Sequence, residues 1–226
     1  MTARYDNALA SPEDLAGWRM EGDGVTSFPQ GRLRLESTRD PGEGQRANLV
    51  LWCPQDVGPD VRISWDFWPV HEPGLCIMFF AARGRRGEDL FDPALVPRTG
   101  VYDEYHSGDI DTYHVSYFRR MWESERALHT CNLRKSHGFH LVAQGADPLP
   151  AVLDARGPYR MQLEHVRGTV SLSVDGITTL HWHDDGSLGG PPLAGGKIGL
   201  RQMAPMIAEY ANLRVERLDS SAEETR

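Results

Sequence analysis

Cysteine is scarce in this chain: Cys53, Cys76 and Cys131 are the three among 226 residues. They lie far apart and are odd in number, and no CxxC or Cys/His pair has zinc spacing. That argues against a disulfide framework and a structural zinc site, and reduced thiols suit a cytoplasm. Basic residues are outnumbered, 24 Lys and Arg against 32 Asp and Glu, for a formal charge of −8. The basic excess of a nucleic-acid binder is therefore missing. No apolar run approaches the length of a membrane span. The stretch MTARYDNALASPEDLAGW has no apolar h-region, so no secretory leader is expected and the expected location is cytoplasmic. A G-x-S-x-G elbow, a P-loop and a dinucleotide fingerprint are all lacking. Sustained 3.6-residue apolar repeats are almost lacking too, which leaves little room for helices.

What is present reads as strands. Gly (23) and Pro (15) punctuate the chain at short intervals. SPEDLAGW (11–18) fits one capped helical turn starting at Ser11 or Asp14. GRLRLES (31–37), ANLVLWC (47–53), VRISWDFWPV (61–70) and GLCIMFFAA (74–82) alternate or are rich in β-branched and aromatic residues. YRMQLEHV (159–166) turns at Arg167-Gly168 into TVSLSV (169–174), which turns at Asp175-Gly176 into ITTLHW (177–182). Asp-Gly between alternating runs is a strong hairpin signal, because both central residues need positive φ. GKIGLRQM (196–203) and AEYANLRVERL (208–218) add two more strands. Strands at this spacing without intervening helices predict an all-β, two-sheet antiparallel sandwich. No Pro/Ser linker divides the chain, so residues 1–219 are expected to form one domain, with SSAEETR (220–226) as a polar tail.

The ending YRMQLEHVRGTVSLSVDGITTLHWHDDG, with GGKIGLRQM and AEYANLRVERL, resembles the closing strands of concanavalin A-like lectin/glucanase jelly rolls. There a V-D/N-G hairpin, a G-x-I-G-L-R strand and a Y-x-N-x-x-V strand recur. YHSGDIDTYHVSYFRR, with NLRKSHGFHLVAQGADPL, is similar more narrowly to the YesU-like family of bacterial proteins of unknown function. The likeness runs over roughly residues 15–218. It implies a single-domain jelly roll associated with polysaccharide breakdown, and it carries no catalytic assignment.

Strand parity sorts the candidate residues. In 111–120, Thr112, His114, Ser116, Phe118 and Arg120 share one face, and Asp111, Tyr113, Val115, Tyr117 and Arg119 the other. Tyr113, Val115 and Tyr117 are the bulkier set and are assigned to the core, with Tyr117 an alternative sugar contact. His114 and Ser116 then face the groove of a jelly roll. The preceding loop, DEYHSGDID, is dense in titratable groups, and loops held by a rigid sheet are where sites sit. In ISWDFWPV, Trp65 and Phe67 share a face, so Asp66 and Trp68 point the other way. A carboxylate among aromatics suits a sugar, whose apolar faces stack on rings. Arg201 in GLRQM should point outward, and NLRKSHGFH (132–140) reads as a long loop supplying Arg134, Lys135, His137 and His140.

Two chemistries fit these residue types. β-Elimination on a uronate needs a base, an acid and a cation for the carboxylate. SYFRR resembles the YFK strand of alginate-lyase jelly rolls, but their Gln-x-His strand is absent. Hydrolysis needs two carboxyl groups across the glycosidic oxygen, and the E-x-D-x-x-E strand of concanavalin-like endoglucanases does not occur. The catalytic candidates are His114, Tyr105, His106, Asp111 and Tyr117. Candidate substrate contacts are Asp66, Trp68, Glu104, Ser116, Arg119, Arg134 and Arg201. No metal or other cofactor is expected: His181 and His183 read as surface histidines, although an H-x-H pair is a possible ligand set, and a structural calcium in DEYHSGDID is a minor alternative. The expected function is oligosaccharide binding followed by a lyase or hydrolase step. The alternatives are a non-catalytic binding module and a structural or dimerising jelly roll; the chain is expected as a monomer or homodimer.

Overall fold

Alternating runs bury one face and closely spaced turns reverse the chain, so successive strands fall into two antiparallel layers. The computed structural model describes residues 4–218; the tail expected at 220–226 lies outside the described residues. The first sheet runs in the order β13 (Ile177–His183), β12 (Thr169–Val174), β11 (Tyr159–Val166), β6 (Val61–His71), β15 (Ile207–Arg217), β4 (Leu33–Ser37), β3 (Gly24–Ser27). β1 (Arg4–Asn7) also pairs with β15. The second runs β10 (His140–Ala146), β9 (Thr130–Ser136), β8 (Ile110–Tyr117), β7 (Leu75–Gly84), β14 (Lys197–Met203), β5 (Leu49–Trp52), β2 (Arg19–Glu21). β5 to β6, β6 to β7, and β14 to β15 each cross between the layers, giving an all-β jelly-roll sandwich. Two short helices, α1 (Asp103–His106) and α2 (Glu123–Leu128), lie in connections. The turn expected at 11–18 is a 3-10 turn over Pro12–Leu15, with Asp14 accepting from the Ala10 and Ser11 amides.

The inter-sheet core contains Ile63, Trp65 and Phe67 of β6 and Leu163 of β11, against Met78 and Phe80 of β7, Tyr113, Val115 and Tyr117 of β8, and Leu200 of β14. A second apolar cluster lies on the outer face of the second sheet. Val50, Trp52, Ile77 and Phe79 meet Leu90, Leu95 and Tyr105 from the connection between β7 and β8. This explains why the stretches LVLW and LCIMFFAA are apolar on both faces: both are covered.

The structure corrects four local expectations. Residues 132–140 are a hairpin of β9 and β10 rather than a long loop. Cys131 and Leu133 enter the core while Asn132 and Arg134 face outward, and those polar outward residues disguise the alternation. Phe118 leaves the His114 face because its φ of +47° breaks the strand; it enters the core 6.0 Å from Phe67. The break also re-aims Arg119, which reaches Thr130 Oγ1 at 2.8 Å instead of lying beside Tyr117. Arg120 is buried against Asp147 at 2.9 Å rather than facing a groove.

Lys135 and Asp184, both buried, pair at 2.7 Å, and Asp184 also accepts from the Tyr113 hydroxyl. Removing one member of such a pair strands the other charge in a low-dielectric interior. Asp184→Ala is expected to cost about 3–5 kcal/mol, read as a lowered denaturant midpoint; a midpoint within error of the parent would remove this pair from the stabilising set. At the β12–β13 turn, Asp175 and Gly176 have φ of +49° and +80°. A Cβ on Gly176 meets nothing within 4 Å, so only backbone strain opposes a side chain there. Gly176→Val is expected to destabilise by about 1–2 kcal/mol in the same measurement, and an unshifted midpoint would contradict the turn.

Candidate functional site

β-Register brings the outward-facing polar residues of the second sheet together. His114 on β8 sits between Phe79 on β7 and Arg134 on β9. One row along, Arg201 on β14 neighbours Ile77, which neighbours Ser116, which in turn neighbours Asn132. His114 does lie on the face away from the core, as parity predicts, but it is not open to a groove. Its exposure is 1%, because the segment leading into α1 covers it.

That cover is aromatic. The Tyr102 hydroxyl lies 2.7 Å from His114 Nε2. The Tyr102 ring meets His106 at 4.9 Å and Phe139 at 5.7 Å, and His106 meets Phe139 at 4.7 Å. The Arg134 guanidinium stacks on Phe139 at 3.6 Å, and that of Arg201 lies 4.8 Å from the Tyr102 ring centre. Among the described residues His114 Nδ1 has no hydrogen-bond partner.

Burial and surrounding cations set the protonation states. Burial holds the His114 imidazole well below its usual 6.5, and Arg134, His106 and Arg201 push it further the same way. Burial raises the Tyr102 hydroxyl, while Arg201, Arg134 and Arg119 oppose that shift. The pair at neutral pH is therefore a neutral imidazole facing a protonated phenol, and the phenol donates to Nε2 in the tautomer that carries its proton on Nδ1. The arginines that tune it, Arg134, Arg201 and Arg119, are all cationic. Such a pair can take a proton at one end and deliver one at the other.

The remaining sequence candidates disperse. Tyr105 is fully buried, donates to Glu21 at 2.8 Å and packs on Phe79, so it braces the covering segment from below. His106 pairs with Asp103 at 3.1 Å and belongs to the cover. Glu104 accepts from the Thr99 amide and hydroxyl at 2.6 and 2.8 Å. Asp111 accepts from the His137 amide at the β9–β10 turn. Tyr117 is enclosed between the sheets against Trp65 and Phe67, so its catalytic candidacy has no access to a ligand. Asp66 and Trp68 do point away from the core, but β6 belongs to the other sheet. Asp66 lines a cleft of about 580 Å³ with Arg160 and Asn212, and Arg32 stacks on Trp68 at 4.1 Å. They cannot share a ligand with His114, because the two layers lie between. Ser116 is buried on the His114 face, its hydroxyl 3.4 Å from the Asn132 carbonyl, and Arg119, beyond the strand end, is held by Glu125 at 2.6 Å and Thr130 Oγ1 at 2.8 Å.

Among the described residues no group of three His, Cys, Asp or Glu side chains is placed to hold a metal ion. His181 and His183 are exposed, His183 bonding Thr169, and Asp184 turns inward to Lys135. The acids of DEYHSGDID go to separate partners, Asp109 to the Val96 amide. Also among the described residues, no helix is long and apolar enough to cross a membrane. Tyr102 and Phe139 are the residues that parity overlooked. Tyr102 lies at the edge of the titratable-dense stretch, three residues before Tyr105, but nothing local reveals that it folds back onto His114.

Layers, crossovers and a polar outer face define a jelly-roll sandwich of the lectin-like type. The chain belongs to the family described as a domain of unknown function, DUF1961, whose pattern matches residues 2–215. It is 54% identical over 211 residues to the uncharacterized protein YesU of Bacillus subtilis (strain 168), covering 93% of this chain and 94% of that one. A crystal structure of a protein of unknown function with a galectin-like fold from Bacillus subtilis superposes with a TM-score of 0.91. Their identity is 52%, over 96% of this chain and 98% of the other. The carbohydrate-binding module CBM66 from Bacillus subtilis superposes at 0.54 with 14% identity, covering 88% and 95%. The Crh5 transglycosylase in complex with NAG does so at 0.60 with 10%, covering 96% and 84%. The last two likenesses are of fold alone.

A histidine held neutral in the folded state but free to protonate on unfolding makes stability fall as pH drops below 6.5. The unfolded chain binds the proton first, so ΔG of unfolding rises with pH up to that value and levels off above it. His106 and His165 are lowered by burial as well, and contribute with the same sign. His114→Gln is expected to remove up to about 1.4 kcal/mol per pH unit of this slope below pH 6.5. Denaturant titrations at a series of pH values check it, and an unaltered slope would mean His114 is charged in the fold.

Proposed function

We propose that this protein binds an oligosaccharide on the outer face of the second sheet and cleaves it by proton transfer through the Tyr102–His114 pair. The observation that carries the reading is the 2.7 Å contact between a phenol and a buried imidazole, set among cations. Its surroundings argue against hydrolysis by two carboxyl groups. The nearby acids Glu104, Asp103 and Glu21 are bound to Thr99, His106 and Arg98 respectively, and no carboxylate pair flanks the imidazole. Jelly-roll relatives that are a carbohydrate-binding module and a transglycosylase support a saccharide ligand for this fold, as a reading by fold analogy. Arg134 and Ser116 are the side chains offered to sugar hydroxyls, with Phe139, 49% exposed, as the stacking surface; Arg119 is held by Glu125 at 2.6 Å. A cytoplasmic placement, acting on small imported fragments, belongs to the same reading.

A second reading is a binding module without turnover, favoured by the closure of Tyr102 over His114. Incubation with a panel of neutral and acidic oligosaccharides, followed by reducing-end assay and calorimetry, separates the two. New reducing ends are expected with the parent protein. Tyr102→Phe and His114→Gln are expected to lower the rate by about 10²–10⁴, with binding retained. Binding without product from any saccharide would leave the module, and neither binding nor product would end the saccharide reading.

A further inference from the structure

Four Lys and Arg residues are buried among the described residues: Arg120, Lys135, Lys197 and Arg201. Three have a carboxylate in contact, Arg120 with Asp147 at 2.9 Å, Lys135 with Asp184 at 2.7 Å and Lys197 with Asp89 at 2.8 Å. Arg201 is 0% exposed and makes no ion pair among the described residues. Its Nη2 donates to Gln45 Oε1 at 3.3 Å and to the Gly100 carbonyl at 3.2 Å, while Nε and Nη1 have no hydrogen-bond partner among the described residues. A structural clamp on the Gly100 carbonyl accounts for one nitrogen and leaves the charge and two donors unanswered. Burying a cation in that state is costly unless something anionic arrives to complete it.

Where Arg201 sits says what would arrive. It lies under the Tyr102 ring, on the same face as His114. The next cation, Arg134, also makes no ion pair among the described residues; it bonds the Phe139 carbonyl at 3.0 Å. Glu104 favours the Arg201 charge from a distance, but its carboxylate bonds the Thr99 amide and hydroxyl rather than the guanidinium. Two cations without counter-ions therefore flank a neutral proton-transfer pair. This is the arrangement for a substrate that brings its own carboxylate next to the bond to be cleaved.

Resting on the saccharide reading above, we infer that the ligand is an acidic saccharide whose uronate carboxylate is received by Arg201. Because Tyr102 covers the guanidinium, the carboxylate takes the place of the Tyr102 ring, and the Tyr102–His114 hydrogen bond opens as it does so. The reaction this supports is β-elimination. His114 Nε2 takes the proton from C5, which the neutralised carboxylate makes acidic. The C5–H electron pair forms the C4=C5 double bond, the C4–O bond breaks, and the Tyr102 hydroxyl protonates the departing oxygen. Return of the His114 proton to the Tyr102 oxygen restores the pair, so the step needs neither water nor a redox partner.

The test pairs ligands as well as variants. The protein is titrated calorimetrically with uronate trisaccharides and with the same trisaccharides after reduction of each carboxyl to the alcohol. The products are followed by the ultraviolet absorbance of an unsaturated uronate together with new reducing ends. The acidic ligands are expected to bind about tenfold or more tightly, less so as salt is raised, and to yield both signals. Arg201→Gln is expected to abolish that preference. The comparison of acidic and reduced ligands on the parent protein stands even where that variant does not fold. Equal affinity or cleavage for the reduced ligands, or an undiminished acid preference in Arg201→Gln, would overturn the inference while leaving the saccharide reading intact. Binding of neither set would overturn both.

Discussion

The central strands of the second sheet are covered on both faces, and the burial of their polar residues follows from that constraint. On the inner side, Met78 and Phe80 meet the first sheet. On the outer side, Ile77 and Phe79 meet Leu90, Leu95 and Tyr105 from the long connection into β8. Polar residues that share that outer face are therefore enclosed with the apolar ones. His114 and Arg201 are buried by this connection rather than by the sandwich core, and burial is the leading cause of the perturbed ionisation of each.

The same enclosure divides the charged residues into two kinds. Pairs such as Lys135–Asp184 and Arg120–Asp147 join distant segments and are internally complete, so they hold connections to the sheets. Lys135 belongs to β9 and Asp184 follows β13, which ties the second sheet to the end of the first-sheet hairpin. Arg201 and Arg134 lack that completeness. Among the described residues the other buried cations are matched with carboxylates, and Arg201 is not.

Much of the architecture was legible because the alternation of side chains is local information. The hairpin through Asp175-Gly176, the strands at 159–166 and 169–174, and the inward Trp65 and Phe67 all follow from period and turn chemistry. The parity of Tyr113, Val115 and Tyr117 against His114 was legible for the same reason. Parity failed where the backbone left the extended region: the positive φ at Phe118 inverts every assignment after it, and no residue type there announces the break. It also failed to say which sheet a strand joins. Asp66 and Trp68 point outward, as read, but from the opposite layer.

By itself, then, the sequence determined the strand periods, the tight turns and the choice of inward residues, since each depends on neighbours a few positions away. Only the tertiary structure decided that Tyr102 closes on His114, that Phe139 returns to the same spot, and that Arg201 lies beneath them without a counter-ion. Those contacts join α1, the β9–β10 turn and β14, segments separated by tens to about a hundred residues. Their meeting depends on sheet register and on the path of a covering connection, and neither leaves a mark in the spacing of side chains along the chain.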